Sequence, residues 1–199
     1  MASITHARFG AIRPAQRYDL VQRSLHWAMA AVILSAIGLG ITCALLPRTD
    51  LREALLTIHK SLGMTALALI VLRLPYRLAV GAPPPSSALG WATRIAADIV
   101  HVALYALMIA MPLSGYVNSV AGGHAAPWFG LFDWPSLVPR DAALGRAAGA
   151  VHFWLAWAFC AALALHISAA LWHAFVRRDD VLARMWPARA AAKRLSSQG

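Results

Sequence analysis

Two histidines, His152 and His166, stand fourteen residues apart in the apolar run AVHFWLAWAFCAALALHISAALWHAFV, residues 150–176. An imidazole can bind a metal, exchange a proton or hydrogen-bond a carbonyl. In a helix the two rings are separated by roughly 21 Å along the axis, and fourteen steps of about 100° return to nearly the same face. One helix face therefore presents imidazoles at two depths. A lone histidine in such a helix is more often a hydrogen-bonded helix contact than a ligand. Histidines at matched depth on other helices point instead to metal or haem coordination, because a ring inside a membrane must be satisfied.

Partners are present. His26 lies early in a first apolar run, 24–46, and His59 opens a second, which begins Ile58-His59-Lys60 and carries Arg73 fourteen residues later. A third run, 95–117, holds Asp98, His101 and Tyr105 early and Pro112 with Gly115 late. The 199-residue chain is 60% hydrophobic and 13% charged, with a mean hydropathy of +0.60. That balance belongs to an integral membrane protein of one domain. Cys43 and Cys160 both sit in apolar stretches, so no disulfide framework is expected, and without a C-x-x-C-H stretch any haem is held by coordination and packing alone. The net charge of +10 resides at helix ends and tails, which points to membrane topology and not to a nucleic-acid partner.

The elements that must position the histidines follow in order. Residues 1–23 are polar and basic, with Arg8, Arg13, Arg17 and Arg23, and read as a retained tail without a signal-peptide cleavage pattern. Ser24 is the expected cap of the first span and Pro47 its stop. Residues 47–57 are expected to be a short connection of mixed charge, and GAPPPSSALG (81–90) breaks the chain between the second and third spans. Residues 118–149 form the longest connection, whose Trp128, Phe129, Phe132 and Trp134 are expected at the membrane surface over the bundle. The tail 177–199 is basic, with Arg177, Arg178, Arg184, Arg189, Lys193 and Arg194. The Lys/Arg bias places both termini in the cytoplasm and the connections 47–57 and 118–149 on the opposite side. The expected fold is an all-α, four-transmembrane-helix up-down bundle over residues 24–176, in an inner membrane, with cofactor sites in its core.

With this topology the histidines form two layers, an outer one of His59 and His152 and an inner one of His26 and His166. Each layer can supply the two axial nitrogens of one haem b. The competing reading, four unrelated polar contacts between helices, would leave the matched depths to chance.

Several stretches together resemble the bacterial cytochrome b561 family, over about 17–187. They are Arg17-Tyr18, Ser24-Leu25-His26-Trp27, Ile58-His59-Lys60-Ser61-Leu62-Gly63, Arg73-Leu74 with Tyr76-Arg77, and His101-Val102-Ala103-Leu104-Tyr105 with Pro112-Leu113-Ser114-Gly115-Tyr116. The loop Pro127-Trp128-Phe129-Gly130-Leu131-Phe132 and the His152 to His166 spacing complete the set. The resemblance implies two b haems on His26, His59, His152 and His166 and a quinone-linked electron carrier. One branch of the family oxidises superoxide at the outer face while reducing ubiquinone.

Arg73, at the level of the inner layer, is a candidate to hold a haem propionate or else a snorkelling residue at the cytoplasmic side. Lys60 adjoins His59, where it could attract superoxide. His101 and His173 are not needed for two bis-histidine haems. With the nearby Asp98 they are candidates to relay protons to a quinone, against the simpler role of helix contacts in which Asp98 caps a helix or pairs with Arg94. His6 and His124 receive no role. The expected function is membrane electron transfer from superoxide to the ubiquinone pool. Alternatives are a cytochrome subunit that exchanges electrons between quinone and a partner dehydrogenase or hydrogenase, and a histidine-lined metal transporter. The last is disfavoured by the pairing of the histidines and by the absence of repeats or broken helices at the midplane.

Overall fold

A computed structural model describes residues 17–86 and 89–186. Four long helices, α1 (Leu20–Leu45), α2 (Asp50–Val80), α3 (Trp91–Ala121) and α4 (Ala142–Trp172), run up and down in chain order. All four are long and apolar enough to cross a membrane. Between α3 and α4 lies a small antiparallel hairpin, β1 (Pro127–Trp128) with β2 (Phe132–Asp133). After α4 come a π-helical turn, His173–Arg177, and a short α5 (Val181–Met185).

The helices begin earlier than hydropathy suggests. Asp19, not Ser24, caps α1: its carboxylate accepts the Gln22 N–H at 2.9 Å. Residues 50–57, expected as a connection, are the first turns of α2, capped by the Thr49 hydroxyl on Arg52 N–H and favoured by Asp50 and Glu53 at the positive end of the helix dipole. Residues 142–149, placed by sequence in the long loop, belong to α4, where Asp141 accepts from the amides of Ala143 and Leu144. A helix of 31 residues spans about 46 Å against a hydrocarbon core of about 30 Å, so α2 and α4 are longer than a span needs and have room for these added first turns outside the hydrocarbon. Pro75 and Pro112 are accommodated within α2 and α3.

α1 packs along α2, α2 along α3, and α3 along α4, whereas α4 does not run closely along α1 or α2. The buried core is a single layer of Met29, Ile33, Ala66, Ile70, Leu104, Met108 and Phe159. Phe159 is seven residues from both His152 and His166, so this layer is an apolar septum between the two histidine levels. Most other large apolar side chains, among them Leu34, Val71, Leu72, Ile99, Val102, Trp154 and Trp157, face outward, as a lipid-solvated bundle requires.

Both ends are closed by segments far away in sequence. At the end expected to face outward, the hairpin turns through Phe129 (φ 51°) and Gly130 (φ 73°) and is fixed to α2. The Phe129 N–H donates to Ser61 Oγ at 2.8 Å, the Trp128 indole N–H to Thr65 Oγ1 at 3.1 Å, and the Lys60 ammonium to the Ala125 carbonyl at 3.1 Å. At the inner end α5 folds back as a clasp. Trp27 Nε1–H donates to the Met185 carbonyl at 2.9 Å, the Tyr18 N–H to Arg184 O at 3.3 Å, and Arg184 to Pro84 O at 2.6 Å. Arg184 also pairs with Asp180, which accepts from the Ser86 hydroxyl. The basic-tail residues Arg8, Arg13, Arg189, Lys193 and Arg194, and His6, which has no expected role, lie outside the described residues.

Candidate functional site

The fold brings the histidines together in the pairs expected from depth. The rings of His59 (α2) and His152 (α4) stand 6.2 Å apart, centre to centre, with their planes at 90°. Those of His26 (α1) and His166 (α4) are also 6.2 Å apart, at 67°. An imidazole nitrogen about 2 Å from a metal puts the ring centre roughly 3 Å away, so two rings that share one metal stand about 6 Å apart. The helices carrying each pair are those that do not pack closely on one another, which leaves width for a flat macrocycle.

The outer pair is held by a repeated device. His59 Nδ1–H donates to the Ala36 carbonyl at 2.8 Å, and four residues on, at Gly40, a Cβ would lie 3.0 Å from the ring. His152 Nδ1–H donates to the Met111 carbonyl at 3.0 Å, and four residues on, at Gly115, a Cβ would again lie 3.0 Å from the ring. In each case the missing side chain lets the ring reach the carbonyl one turn back. Ser114 Oγ lies 3.1 Å from His152 Nδ1 and donates to the same Met111 carbonyl at 2.8 Å. With Nδ1 committed to a carbonyl, Nε2 is the nitrogen left free in each ring, and a hydrogen bond of this kind fixes the tautomer and orientation of a histidine that binds a metal. Ala36, Gly40 and Ser114 contact the outer histidines without any motif of their own in the sequence beyond a glycine at the level of each ring.

The inner pair is different. Arg73 reaches it, with one guanidinium nitrogen 3.1 Å from His26 Nδ1, another 3.7 Å from Met29 Sδ, and the guanidinium carbon 5.8 Å from the centre of the Tyr105 ring. His101 stands beside His166, ring centres 5.4 Å apart, and makes this end a group of three imidazoles and one guanidinium. Asp98, one turn earlier on α3, is exposed. It neither caps a helix nor pairs with Arg94, which donates to the carbonyls of Leu89 and Ser86 instead. His173 is buried at the end of α4 and its Nδ1 lies 2.6 Å from the Asp179 carboxylate. Among the described residues no group of three or more His, Cys, Asp or Glu is arranged to hold a bare metal ion.

Charges at the hairpin end of the bundle partly cancel. Arg52 pairs with Glu53 at 2.9 Å and Asp141 is occupied as a cap, its carboxyl held below the usual range by the amides of Leu144 and Ala143. Lys60 is half-buried with its ammonium on the loop carbonyl.

The profile of the prokaryotic cytochrome b561 family matches residues 17–188. The chain is 34% identical to "Cytochrome b561 homolog 2" of Escherichia coli (strain K12), over 85% of this chain and 91% of that protein. It is 27% identical to "Probable superoxide oxidase CybB" of Yersinia pestis, over 86% and 97% of the two chains. A third relative, "Cytochrome b561 homolog 1" of Escherichia coli (strain K12), is 28% identical over 54% of this chain and 58% of its own length. Four apolar helices with histidines facing one another across their gaps suit such a protein, and the family implies haem b. The chain belongs to the prokaryotic cytochrome b561 family of membrane electron-transfer proteins.

Proposed function

We propose that this protein binds two b haems, the outer through His59 and His152 and the inner through His26 and His166, and that it oxidises superoxide at the outer face and reduces ubiquinone. The observation that carries the reading is the equal spacing of the two pairs, 6.2 Å in each, across helices that do not pack on one another. Bound haem supplies a one-electron iron couple, while the protein supplies position, access and electrostatics.

The Ala36 and Met111 carbonyls fix the tautomer of the outer rings and leave Nε2 for the iron. Coordination of His26 through Nε2 would put the ring proton on Nδ1, and the Arg73 guanidinium beside that ring would be the group to hold a propionate through paired charged hydrogen bonds. The hairpin fastened to Ser61 and Thr65 covers the outer end. Lys60, beside His59, supports the choice of a small anion as donor, since a cation close to a redox site raises the local concentration of anions. Two superoxide anions each lose one electron to become dioxygen, and the two electrons with two protons convert ubiquinone to ubiquinol. His101, next to His166, is the group placed to hold a proton for the quinone, with exposed Asp98 leading toward it. The basic residues around the inner end support cytoplasmic termini in an inner membrane.

The test is reduction of the haems by a flux of superoxide in quinone-free detergent, at several ionic strengths, in wild type and Lys60→Glu. The expected rate falls with added salt, and the variant is slower and less salt-sensitive. Reduction by quinol or a dehydrogenase, with no response to superoxide, would replace this reading with that of a cytochrome subunit serving a partner protein.

A further inference from the structure

Two sites of the same ligand type need not hold an electron equally well. We infer that Arg73 sets their order: its charge makes the inner histidine pair retain an electron more tightly than the outer pair, so that transfer runs downhill from outer to inner end. The inference rests on the two bis-histidine haems proposed above.

Adding an electron removes one unit of positive charge from a site, so a nearby fixed cation favours the reduced form and a nearby negative dipole favours the oxidised one. The two ends differ in just this respect. At the inner pair the Arg73 guanidinium is 3.1 Å from His26 Nδ1, and its remaining contacts are the Met29 sulfur and the Tyr105 ring. Among the described residues, no carboxylate lies within ion-pair distance of it; the ion pairs present join Arg52 with Glu53, His173 and Arg177 with Asp179, and Arg184 with Asp180. Arg77, one turn on, has the same sign and donates to Gly81 O, while the nearby acid, Asp98, is exposed and forms no ion pair with Arg73.

At the outer pair the signs are reversed. Both Nδ1–H groups point at carbonyl oxygens, of Ala36 and Met111, which makes the imidazoles more basic ligands and favours the oxidised iron. The nearest cation, Lys60, adjoins His59 in sequence but binds the Ala125 carbonyl in the covering loop with its ammonium, whereas Arg73 touches His26 itself. A propionate held by Arg73 leaves the direction unchanged, because loss of the guanidinium would expose the inner site to an uncompensated anion.

The experiment is an equilibrium redox titration of the haem absorbance in the purified, fully loaded protein, with haem per polypeptide measured alongside. Single-haem variants assign the components: His152→Ala retains the inner site and His26→Ala the outer. The inner component is expected to titrate above the outer. Arg73→Gln should lower the inner component by a tenfold or larger change in its reduction equilibrium, about 59 mV for a one-electron couple. The outer component should stay in place, and Arg73→Lys should retain most of the difference. Two haems per chain with an unmoved inner component in Arg73→Gln would overturn the inference. So would an inner component at or below the outer one in the single-haem proteins, a comparison that needs no Arg73 variant to load. A single haem in wild type, or loss of the same component from both single-haem variants, would instead overturn the two-haem reading itself.

Discussion

Gly115 and His152 touch across the α3–α4 interface: a Cβ on the glycine would lie 3.0 Å from the ring carbon Cε1 and 3.1 Å from Nδ1. The ring needs this approach to reach the Met111 carbonyl. Gly115→Ala should therefore push His152 off its acceptor, and Gly40→Ala should do the same to His59. Loss of an orienting partner weakens metal binding by roughly 10–100-fold, so each variant is expected to purify with the outer haem depleted and the inner one retained. Gly63→Ala, where a Cβ meets nothing within 4 Å, is the matching control. Haem counted per polypeptide decides the matter, and full loading of both glycine variants would contradict the seat described here.

The pairing itself makes a stronger demand. His59→Ala and His152→Ala should each remove the same spectral component, and His26→Ala and His166→Ala the other. Low-temperature spectra of the four variants would reveal any other combination, for example a common component lost from His59→Ala and His26→Ala.

Ser61 is fully buried and joins α2 to the hairpin, accepting the Phe129 N–H at 2.8 Å while its hydroxyl donates to the Thr57 carbonyl at 2.8 Å. Ser61→Ala leaves that amide without its partner, at a cost of about 1–3 kcal/mol. Faster proteolysis within 127–133 and a lower thermal midpoint are expected, with the haem spectrum of the inner site unchanged.

The clasp at the inner end should open in acid. Burial acts to raise the Asp180 carboxyl, but the Ser86 hydroxyl and the Arg184 guanidinium outweigh it and hold the group below its ordinary value. A carboxyl lowered on folding contributes stability that is complete above its unfolded value and is lost as the pH falls through the folded one. The contribution should therefore persist to about pH 4 and vanish below it. Hydrogen exchange at Tyr18, whose amide donates to Arg184 O, is the measurement. Asp180→Asn should exchange faster at neutral pH and lack the acid step; a wild-type profile in that variant would count against the assignment.

Much of this architecture was legible locally. Four apolar runs, their breaks and the fourteen-residue spacing of His152 and His166 are properties of neighbouring residues, and depth follows from helical rise alone. Depth was enough to bring His59 to His152 and His26 to His166. Hydropathy was a poorer guide to helix ends, because polar first turns such as 50–57 remain helical outside the hydrocarbon, where Asp50 and Glu53 favour the helix terminus.

The sequence by itself determined the class, the order of the spans and the levels of the histidines, since burial in lipid acts on each segment separately. Tertiary structure alone decided that the Ala36 and Met111 carbonyls receive the outer rings, that Gly40 and Gly115 make room for them, that His101 stands against His166, and that α5 returns to Trp27. Each of these depends on the rotation and crossing of helices about their axes. Those angles are set by side-chain packing between residues remote in sequence, and no local pattern encodes them.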